Sequence, residues 1–446
     1  MRMTVSRTIC LGFLVVITMG TLLLLLPLAI ASGTWASPLV ALFTATSAVC
    51  VTGLVVVDTG TYFSPFGQAV IVALIQIGGL GYMTATTLLL LLLGRRLKLK
   101  DRVAIQQSLD QTELAAGKTL LTSIIAMTMV FEITGIFCFY PVFSHDYGPA
   151  QSLWLSVFHS ISAFNNAGFS LFADSIVGYQ FHVWINLVIS LLIIFGGLGY
   201  EVIMEMFMGL RDRLQGTRRR LVFSLNYKIA TSTTLVLLVV GTLTFLATEF
   251  NNPNTLGDLP WSGKLLAAWF QSVIARTAGF NSIDIGAMGN ASLFTMIALM
   301  FIGASPGGTG GGIKTTTFRI LLVCTLAVLQ GKEEVLCYRR QIPLTRVLKT
   351  VAVVVGSALV VILATMLISI SNPNLTFIAV LFETVSAFAT VGLSTGITAQ
   401  LSAFSQVVII ITMYLGRVGV LLFMASLLGD PRPTAVQYPE EDLLIG

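Results

Sequence analysis

Long apolar stretches separated by short polar segments follow one another along almost the whole chain. Eight of them are long enough to cross a bilayer as a helix, which takes about 20 mainly apolar residues. They lie at 8–30, 66–93, 119–143, 182–208, 226–249, 291–328, 346–370 and 404–428. The stretch at 291–328 is too long for one span and is interrupted by glycines. The pattern therefore predicts an all-α polytopic membrane protein with eight transmembrane helices.

The eight spans form four consecutive pairs. Between the two spans of each pair lies a shorter apolar motif whose next-to-last residue is glycine. It has four copies: Phe43–Leu54, Phe158–Phe169, Trp269–Phe280 and Phe382–Leu393. Their aligned glycines are 111 to 115 residues apart, so one structural unit is used four times. Each unit is predicted to contain a span, a half-length helix with the motif, and a second span, an arrangement written M1-P-M2. The predicted bounds are 1–100, 101–215, 216–330 and 331–429 for units one to four, and 430–446 for a cytoplasmic tail.

The half-length helices are too short to cross the membrane. Pro38–Val49 has 12 residues, which make about 18 Å of helix, so the chain must leave on the side from which it came. Irregular backbone at membrane depth persists only where protein or water satisfies its polar groups. Four such re-entrant segments in a pseudo-fourfold arrangement can direct backbone carbonyls at a dehydrated cation.

The glycine of each motif can take a positive φ and so orient the neighbouring carbonyls. A glycine that merely ends a helix is the alternative, and four copies with similar flanking residues favour a cation filter over it. No metal site other than this filter is predicted. The predicted filter residues are Val51, Thr52, Gly53, Asn166, Ala167, Gly168, Thr277, Ala278, Gly279, Thr390, Val391 and Gly392.

The second span of unit three contains a segment that cannot form a continuous helix. Between residues 303 and 312 it has six glycines together with Pro306, and both residue types disfavour a helix interior. Apolar sequence resumes after it, so we predict an intramembrane gate loop at 303–317, beneath the filter. A passive hinge is the alternative, and a phosphate loop is disfavoured because Ile313 separates Gly312 from the lysine. The predicted gate residues are Gly303, Ser305, Gly307, Gly308, Thr309, Gly310, Gly311, Gly312, Lys314 and Arg417.

Composition and charge agree with a membrane protein. Hydrophobic residues make up 55% of the chain and charged residues 10%, whereas about a quarter of a soluble domain is charged. Of the 25 Lys and Arg residues, 21 fall on one side of the predicted spans, which makes that side, with both termini, cytoplasmic. The basic balance therefore reflects topology and not nucleic-acid binding. A cleaved signal peptide over the first apolar run is the alternative for the N-terminus, and the four intact units disfavour it.

A few charged residues are predicted at membrane depth, where they are costly and usually face a cavity or a partner. Arg417 is expected to repel cations and to hydrogen-bond the gate carbonyls. Arg276 is expected to brace the back of the filter, with Glu383 or Asp284 as its partner. Glu132 is expected to pair or to carry a proton. The five cysteines are scattered, so neither disulfides nor a zinc site is predicted.

The filter motifs, the Ser305–Thr315 segment and Gly416-Arg417-Val418-Gly419 closely resemble the Trk/Ktr/HKT superfamily of cation transporters. The resemblance covers nearly the whole chain and is greatest to the KtrB group of bacterial membrane subunits. It implies K+ as the transported ion, a homodimer with one pore per protomer, and a gating role for the unit-three loop. It also implies a cytoplasmic nucleotide-binding RCK ring, like KtrA or KtrE, as partner, so that this chain itself binds no nucleotide. Gly53 argues for K+, since serine replaces it in the Na+-selective branch.

Two functions remain open at this point. The first is K+ uptake through a gated pore in the inner (plasma) membrane, surrounded by lipid and driven by the membrane potential, with Na+ able to influence or accompany K+. The second is an alternating-access Na+/K+ or H+/K+ symporter, which would be expected to have inverted repeats, whereas these four run the same way. An enzyme is disfavoured because no nucleophile-base pair, paired carboxylates or metal cluster occurs in the sequence.

Overall fold

The computed structural model describes residues 5–81, 117–216 and 222–428, and within these ranges the chain is mainly helical. Unit one comprises α1 (Val5–Leu25), α2 (Pro38–Val49), α3 (Thr59–Tyr62) and α4 (Pro65–Gly79). Unit two comprises α5 (Gly117–Asp146), α6 (Pro149–Phe164), α7 (Val183–Leu198) and α8 (Tyr200–Leu214). Unit three comprises α9 (Leu225–Glu249), α10 (Trp261–Ile274), α11 (Asn290–Phe301) and α12 (Thr315–Leu329). Unit four comprises α13 (Leu344–Ser371), α14 (Phe377–Phe388), α15 (Ala403–Val418) and α16 (Val420–Leu428).

The first helix of every unit is long and apolar enough to cross a membrane by itself. These four helices are α1, α5, α9 and α13, and two bent pairs, α7 with α8 and α15 with α16, meet the same criterion when each pair is taken together. The span predicted at 66–93 is helical up to Gly79, and its part from 82 to 93 lies outside the described residues, as does the tail 430–446. The span predicted at 291–328 is divided into α11 and α12.

The half-length helices are α2, α6, α10 and α14, with 12 to 16 residues each. Proline occupies the first turn of α2 and of α6, where its missing N–H costs nothing. Helix α14 begins at Phe377, after Thr376, and the preceding Asn372 does not cap it. The carboxamide of Asn372 instead accepts a hydrogen bond from the backbone N–H of Ser402, which ties the two spans of unit four together.

The four units close into a ring. The second span of each unit packs on the half-length helix of the next one: α4 on α6, α7 on α10, α11 on α14, and α15 on α2. The last contact joins unit four to unit one, so the order around the ring is the order along the chain. This cyclic packing is the pseudo-fourfold arrangement that the repeats predict.

Two second spans bend sharply where the sequence predicts straight helices. The axes of α7 and α8 differ by 106°, and those of α15 and α16 by 93°. Each bend is at one glycine, Gly199 or Gly419, with φ of 87°, a conformation that other residues rarely adopt. The spans predicted at 182–208 and 404–428 are therefore each divided into two helices at these glycines.

One small β-hairpin interrupts the otherwise helical architecture. Strands β1 (Leu336–Cys337) and β2 (Arg340–Gln341) pair antiparallel between α12 and α13. Tyr338 and Arg339 form the two-residue turn, both with positive φ, as tight hairpins require. The side chain of Cys337 is buried against Ile229 of α9. The sequence analysis did not predict this element.

Candidate functional site

The four glycine motifs meet at the centre of the molecule. Each follows directly from a half-length helix, and the non-glycine members of the twelve predicted filter positions are fully buried. We refer to these twelve residues, Val51–Gly53, Asn166–Gly168, Thr277–Gly279 and Thr390–Gly392, as the central ring.

The glycines of the central ring contact one another in chain order. A methyl group on Gly168 would lie 2.7 Å from the Cα atom of Gly279, and one on Gly279 would lie 2.6 Å from the carbonyl oxygen of Val391. On Gly392 it would overlap the carbonyl of Thr52, and on Gly53 that of Ala167. Because all of these distances are shorter than a real contact allows, no side chain fits at any of the four positions.

Left-handed backbone occurs twice in each segment of the ring. The four glycines have φ between 69° and 92°. The residue two positions earlier is also left-handed: φ is 58° at Val51, 58° at Asn166, 65° at Thr277 and 50° at Thr390. For a residue with a side chain this costs on the order of 1–3 kcal/mol and persists only when the surroundings impose it. All four are predicted filter residues, but their left-handed backbone was not predicted, because nothing in their side chains indicates a positive φ.

The backbone N–H groups of the ring are bonded to the half-length helices. The N–H of Thr52 donates to the carbonyl of Ser47 at 2.8 Å, and Ala167 and Val391 make the same bond at 2.8 Å with Ser162 and Ser386. No described residue donates a hydrogen bond to the carbonyl of Thr52, Ala167, Ala278 or Val391. Buried carbonyls nearly always have a partner, so this set of unbonded oxygens around one centre is suited to a cation.

Three serines brace the ring from behind, each six residues before its glycine. The hydroxyls of Ser47 and Ser386 accept from the N–H groups of Gly53 and Gly392 at 3.0 and 3.1 Å. The hydroxyl of Ser162 donates to the carbonyl of Phe169 at 2.7 Å. Val273 occupies this position in unit three. The sequence analysis did not single out these serines, although their shared offset from glycine would have identified them.

The predicted gate residues form a loop between α11 and α12, which we call the Gly-rich loop (residues 303–314). Its ends are joined, because the N–H of Gly303 donates to the carbonyl of Ile313 at 2.9 Å. Its middle lies against the central ring: the N–H of Gly311 donates to the hydroxyl of Thr390 at 3.0 Å. A side chain on Gly310 would overlap the hydroxyl of Thr277. The loop therefore lies directly next to the ring.

Unit two holds the Gly-rich loop through its backbone. The N–H groups of Ser305 and Thr309 donate to the carbonyls of Gly197 and Gly196 at 2.9 and 3.1 Å. The hydroxyl of Thr309 also donates to the carbonyl of Phe164, the last residue of α6, at 3.3 Å. Gly196 and Gly197 of the second span therefore bind the loop through their carbonyls.

Three cationic side chains also hold the Gly-rich loop. Arg417 donates to the carbonyls of Thr309 in the loop and Gly78 in unit one. The Nζ atom of Lys314 donates to the carbonyl of Gly310 at 2.9 Å. Arg276 reaches the carbonyl of Gly303 at 3.4 Å. Neither partner predicted for Arg276 is bonded to it: the carboxylate of Glu383 accepts from Ser394 and Thr398, and that of Asp284 accepts from the N–H of Gly286.

Next to the Gly-rich loop lies a cavity of about 550 Å³. Residues 306–312 form one wall, and Tyr200 and Gly416 contribute to others. Its described charged lining is entirely basic: Lys314, Arg346, Lys349 and Arg417.

Glu132 lies behind the second segment of the ring. Its carboxylate is buried, and it accepts a hydrogen bond from the carboxamide of Asn165 at 3.0 Å. The same amide nitrogen donates to the side-chain oxygen of Gln76 at 3.0 Å. Glu132 of unit two and Gln76 of unit one are therefore linked through the side chain of Asn165, the residue before the ring residue Asn166. His182 caps α7, and His159 lies within α6.

Comparison with known proteins gives one consistent result. The family of TrkH cation transport proteins matches residues 6–427. The Ktr system potassium uptake protein B of Bacillus subtilis (strain 168) is 39% identical over 446 residues, covering 100% of this chain and 97% of the relative. The protein of the same name from Vibrio alginolyticus is 40% identical, covering 99% and 94%. The potassium/sodium uptake protein NtpJ of Enterococcus hirae is 36% identical, covering 100% and 98%.

The fold is also found among solved structures. The potassium transporter TrkH from Vibrio parahaemolyticus superimposes with a TM-score of 0.71 and 18% sequence identity, covering 94% of this chain and 85% of that one. These matches confirm the resemblance stated from the motifs and the predicted fold class. They also confirm that the chain is a transporter and not an enzyme, because the family is one of transport proteins.

Proposed function

Because the chain belongs to the family of TrkH cation transport proteins, we propose that it takes up K+ across the cell membrane through the central ring. Two relatives at 39 and 40% identity are named potassium uptake proteins. The observation that carries the proposal is the set of four buried carbonyls, one per unit, to which no described residue donates a hydrogen bond. In this proposal the twelve residues of the ring are the selectivity filter.

Carbonyl oxygens in such a ring replace the hydration shell of a cation. The half-length helices direct their C-terminal ends, which carry partial negative charge, toward the same centre. The carbonyls of Thr52 and Val391 share a peptide plane with the N–H groups of Gly53 and Gly392. Those N–H groups donate to the hydroxyls of Ser47 and Ser386, so the two carbonyls are held from behind. Since the four segments differ in sequence and share only one glycine each, the ring has fewer equivalent carbonyl layers than four identical segments would give. We therefore expect moderate selectivity for K+ over Na+.

The Gly-rich loop is the gate in this proposal. Its contacts with Thr277 and Thr390 support this role, because a loop next to the ring would obstruct an ion that leaves it. Arg417 holds the loop and adds a positive charge that repels cations. Most of the other bonds are between neutral groups, each worth about 1 kcal/mol net, so the loop can be released at modest cost.

Orientation follows from the basic residues. With the Lys- and Arg-rich segments on the cytoplasmic side, both termini are cytoplasmic, and the cavity lined by Lys314 and Arg417 lies between the gate and the cytoplasm. K+ then moves inward along the membrane potential, which supplies about 2.3 kcal/mol per 100 mV for each charge.

Assembly is proposed from the relatives' names and the family resemblance. Two relatives are described as parts of a Ktr system, which implies a further component. We propose a homodimer in the lipid bilayer, controlled by a cytoplasmic nucleotide-binding RCK ring of the KtrA or KtrE kind. The nucleotide would be bound by that partner and not by this chain.

An alternating-access symporter is the second candidate. Its supporting observations are the buried carboxylate of Glu132 and a relative, 36% identical, that is named a potassium/sodium uptake protein. Against it, the four units follow one another around the ring in the same orientation, whereas alternating access typically uses inverted repeats. Na+ is therefore treated as a modulator or accompanying ion.

Ion flux into liposomes that contain the purified chain distinguishes the two candidates. We expect K+ influx that increases with an inside-negative potential and persists without a Na+ or H+ gradient. Protein-free liposomes provide the background. K+ influx that requires either gradient would support the symporter and direct attention to Glu132, and the absence of K+ influx under all driving forces would contradict both candidates.

A further inference from the structure

Three of the four units share a contact that none of the assigned roles uses. A buried polar side chain of the half-length helix reaches the return segment, which we define as the residues between a ring glycine and the following second span. The Nε2 atom of His159 lies 3.0 Å from the hydroxyl of Ser170, and that of Gln271 lies 3.4 Å from the hydroxyl of Ser282. The hydroxyl of Ser394 donates to Glu383 at 2.8 Å.

His159 and Glu383 occupy equivalent positions. Each lies nine residues before its ring glycine, and each bonds the serine two residues after that glycine. Unit one has Thr44 and Val55 at these positions, so it lacks the equivalent pair. Units two and four lie on opposite sides of the ring, so the two titratable members of the set are opposite each other across the central axis.

Glu383 is the most tightly bound member. Its side chain has no exposed surface, and one carboxylate oxygen accepts from Ser394 while the other accepts from Thr398. The hydroxyl of Ser394 also accepts from the N–H of Gly396 at 3.0 Å. The return segment of unit four is thus folded around one carboxylate, immediately after the ring residues Val391 and Gly392.

The hydrogen-bond partners of the Glu383 carboxyl group among the described residues are hydroxyls and not a basic side chain. Neither ion pair found among the described residues involves it. A buried carboxylate is stable only when hydrogen-bonded, so the bonds to Ser394 and Thr398 couple the position of the return segment to this side chain. Losing them would release the chain directly after Gly392 and with it the carbonyl of Val391.

We propose that Glu383 is a positioning residue that sets the K+/Na+ selectivity of the ring by holding the return segment of unit four. The inference rests on the proposed function, since it concerns the selectivity of that same ring. Its partners in this role are Ser394 and Thr398. His159, acting on Ser170, is the corresponding residue on the opposite side.

The test compares variants by their K+/Na+ permeability ratio in liposomes and by their melting temperature in detergent. Glu383→Ala removes both acceptor oxygens, and we expect the ratio to fall about tenfold, because the two hydroxyls that it binds lose their buried hydrogen-bond partner. Glu383→Gln keeps one acceptor oxygen and should lower the ratio less. Ser394→Ala and Thr398→Val keep the carboxylate and should each lower the ratio a few-fold.

Glu249 supplies the matched control. It is also a buried carboxylate, and it accepts hydrogen bonds from Thr255 and Asn252, each at 2.6 Å, and from the N–H of Gly289 at 2.9 Å. It joins the end of α9 to the start of α11, away from the ring residues. Glu249→Gln should therefore lower the melting temperature and leave the permeability ratio unchanged.

The measurements distinguish a failure of the proposed K+ uptake from a failure of the role proposed for Glu383. If wild-type protein carries no K+, the proposed function fails. If wild-type protein carries K+ and folded Glu383 variants keep its ratio, the inference is overturned. It is also overturned if Glu249→Gln changes the ratio equally, because the effect would then be a general one of buried carboxylates. Should the Glu383 variants not fold, an unchanged ratio in Ser394→Ala and Thr398→Val overturns it, and a reduced ratio supports it.

Discussion

The central ring and the Gly-rich loop lie against each other but are built in opposite ways. The ring repeats one backbone conformation four times, with left-handed residues at the same two positions in every unit. The loop occurs once, and its partners differ at every contact: Gly196 and Phe164 from unit two, Thr390 and Arg417 from unit four. The repeated backbone of the ring suits its proposed role of surrounding an ion from four sides, and the single loop suits its proposed role of blocking the path from one side.

A single position in the second spans shows how unit three came to differ. In units one, two and four, a glycine packs against the last carbonyls of its own half-length helix, and a side chain there would overlap Val49, Phe164 or Phe388. The corresponding residue of unit three is Gly303, and there the same space is occupied by Gly311. In unit three, the glycine of the second span therefore packs on another residue of the Gly-rich loop and not on the end of the half-length helix.

The largest effect is expected from Gly279→Ala, which breaks the ring. The new methyl group would overlap the carbonyl of Val391, and φ at this position is 71°. The left-handed conformation costs about 1–2 kcal/mol for a residue with a side chain, and the overlap adds to this. We expect K+ influx in liposomes to fall more than tenfold.

Gly33→Ala separates backbone strain from loss of the ring. Gly33 has nearly the same φ, 70°, but nothing lies within 4 Å of an added methyl group. This variant should keep wild-type influx within about twofold, since it pays only the backbone cost of about 1–2 kcal/mol. If Gly279→Ala and Gly33→Ala reduced K+ influx equally, the loss would be due to backbone strain and not to disruption of the ring.

A smaller effect is expected from Arg417→Gln, which weakens the loop and leaves the ring intact. The guanidinium bonds the carbonyls of Thr309 and Gly78, and hydrogen bonds of charged groups contribute about 1.5–3 kcal/mol. Losing them should raise basal K+ influx about tenfold, because about 1.4 kcal/mol changes an equilibrium tenfold. Influx through the purified chain without any partner measures this.

Arg346→Gln is the control for charge. Arg346 lines the same cavity from α13, so its replacement removes an equal positive charge from the wall. We expect less than a twofold increase in influx, since solvent screens exposed charges. If the two arginine variants raised influx equally, Arg417 would act through its charge and not by holding the loop.

The smallest effect is expected from Ser386→Ala, which removes one brace of the ring. Its hydroxyl accepts from the N–H of Gly392, and a neutral hydrogen bond contributes about 1 kcal/mol. The K+/Na+ permeability ratio should fall a few-fold. Unit three already lacks this serine, so Val273→Ala should leave the ratio nearly unchanged, and an equal fall in both variants would contradict the bracing role.

Features that repeat along the chain were predictable, and features that depend on one unusual residue were not. Four glycines at even spacing identified the ring, and apolar length identified the long spans. The bends at Gly199 and Gly419 were missed because apolar length does not reveal a left-handed residue inside a span. The left-handed backbone of Thr277 and Thr390 was not predicted because the fold, and not the residue, imposes that conformation.

Partners of charged residues were the least predictable part of the site. Arg276 was expected to bond a carboxylate, yet it bonds the carbonyl of Gly303. Residue types suggest charge pairs, but backbone carbonyls are equally good acceptors and leave no mark in the sequence. The role of Glu132 was left open, and its amide partner Asn165 could be assigned only from the packing of α5 on α6.

The four units around the ring belong to one chain and are therefore encoded by one gene. In a pore assembled from four identical subunits, every mutation is made four times at once, and a change tolerable in one quarter can be lethal in all. Here a single substitution alters one segment and leaves three copies as they were. Such a chain can acquire Glu383 in unit four, His159 in unit two and the Gly-rich loop in unit three by independent mutations.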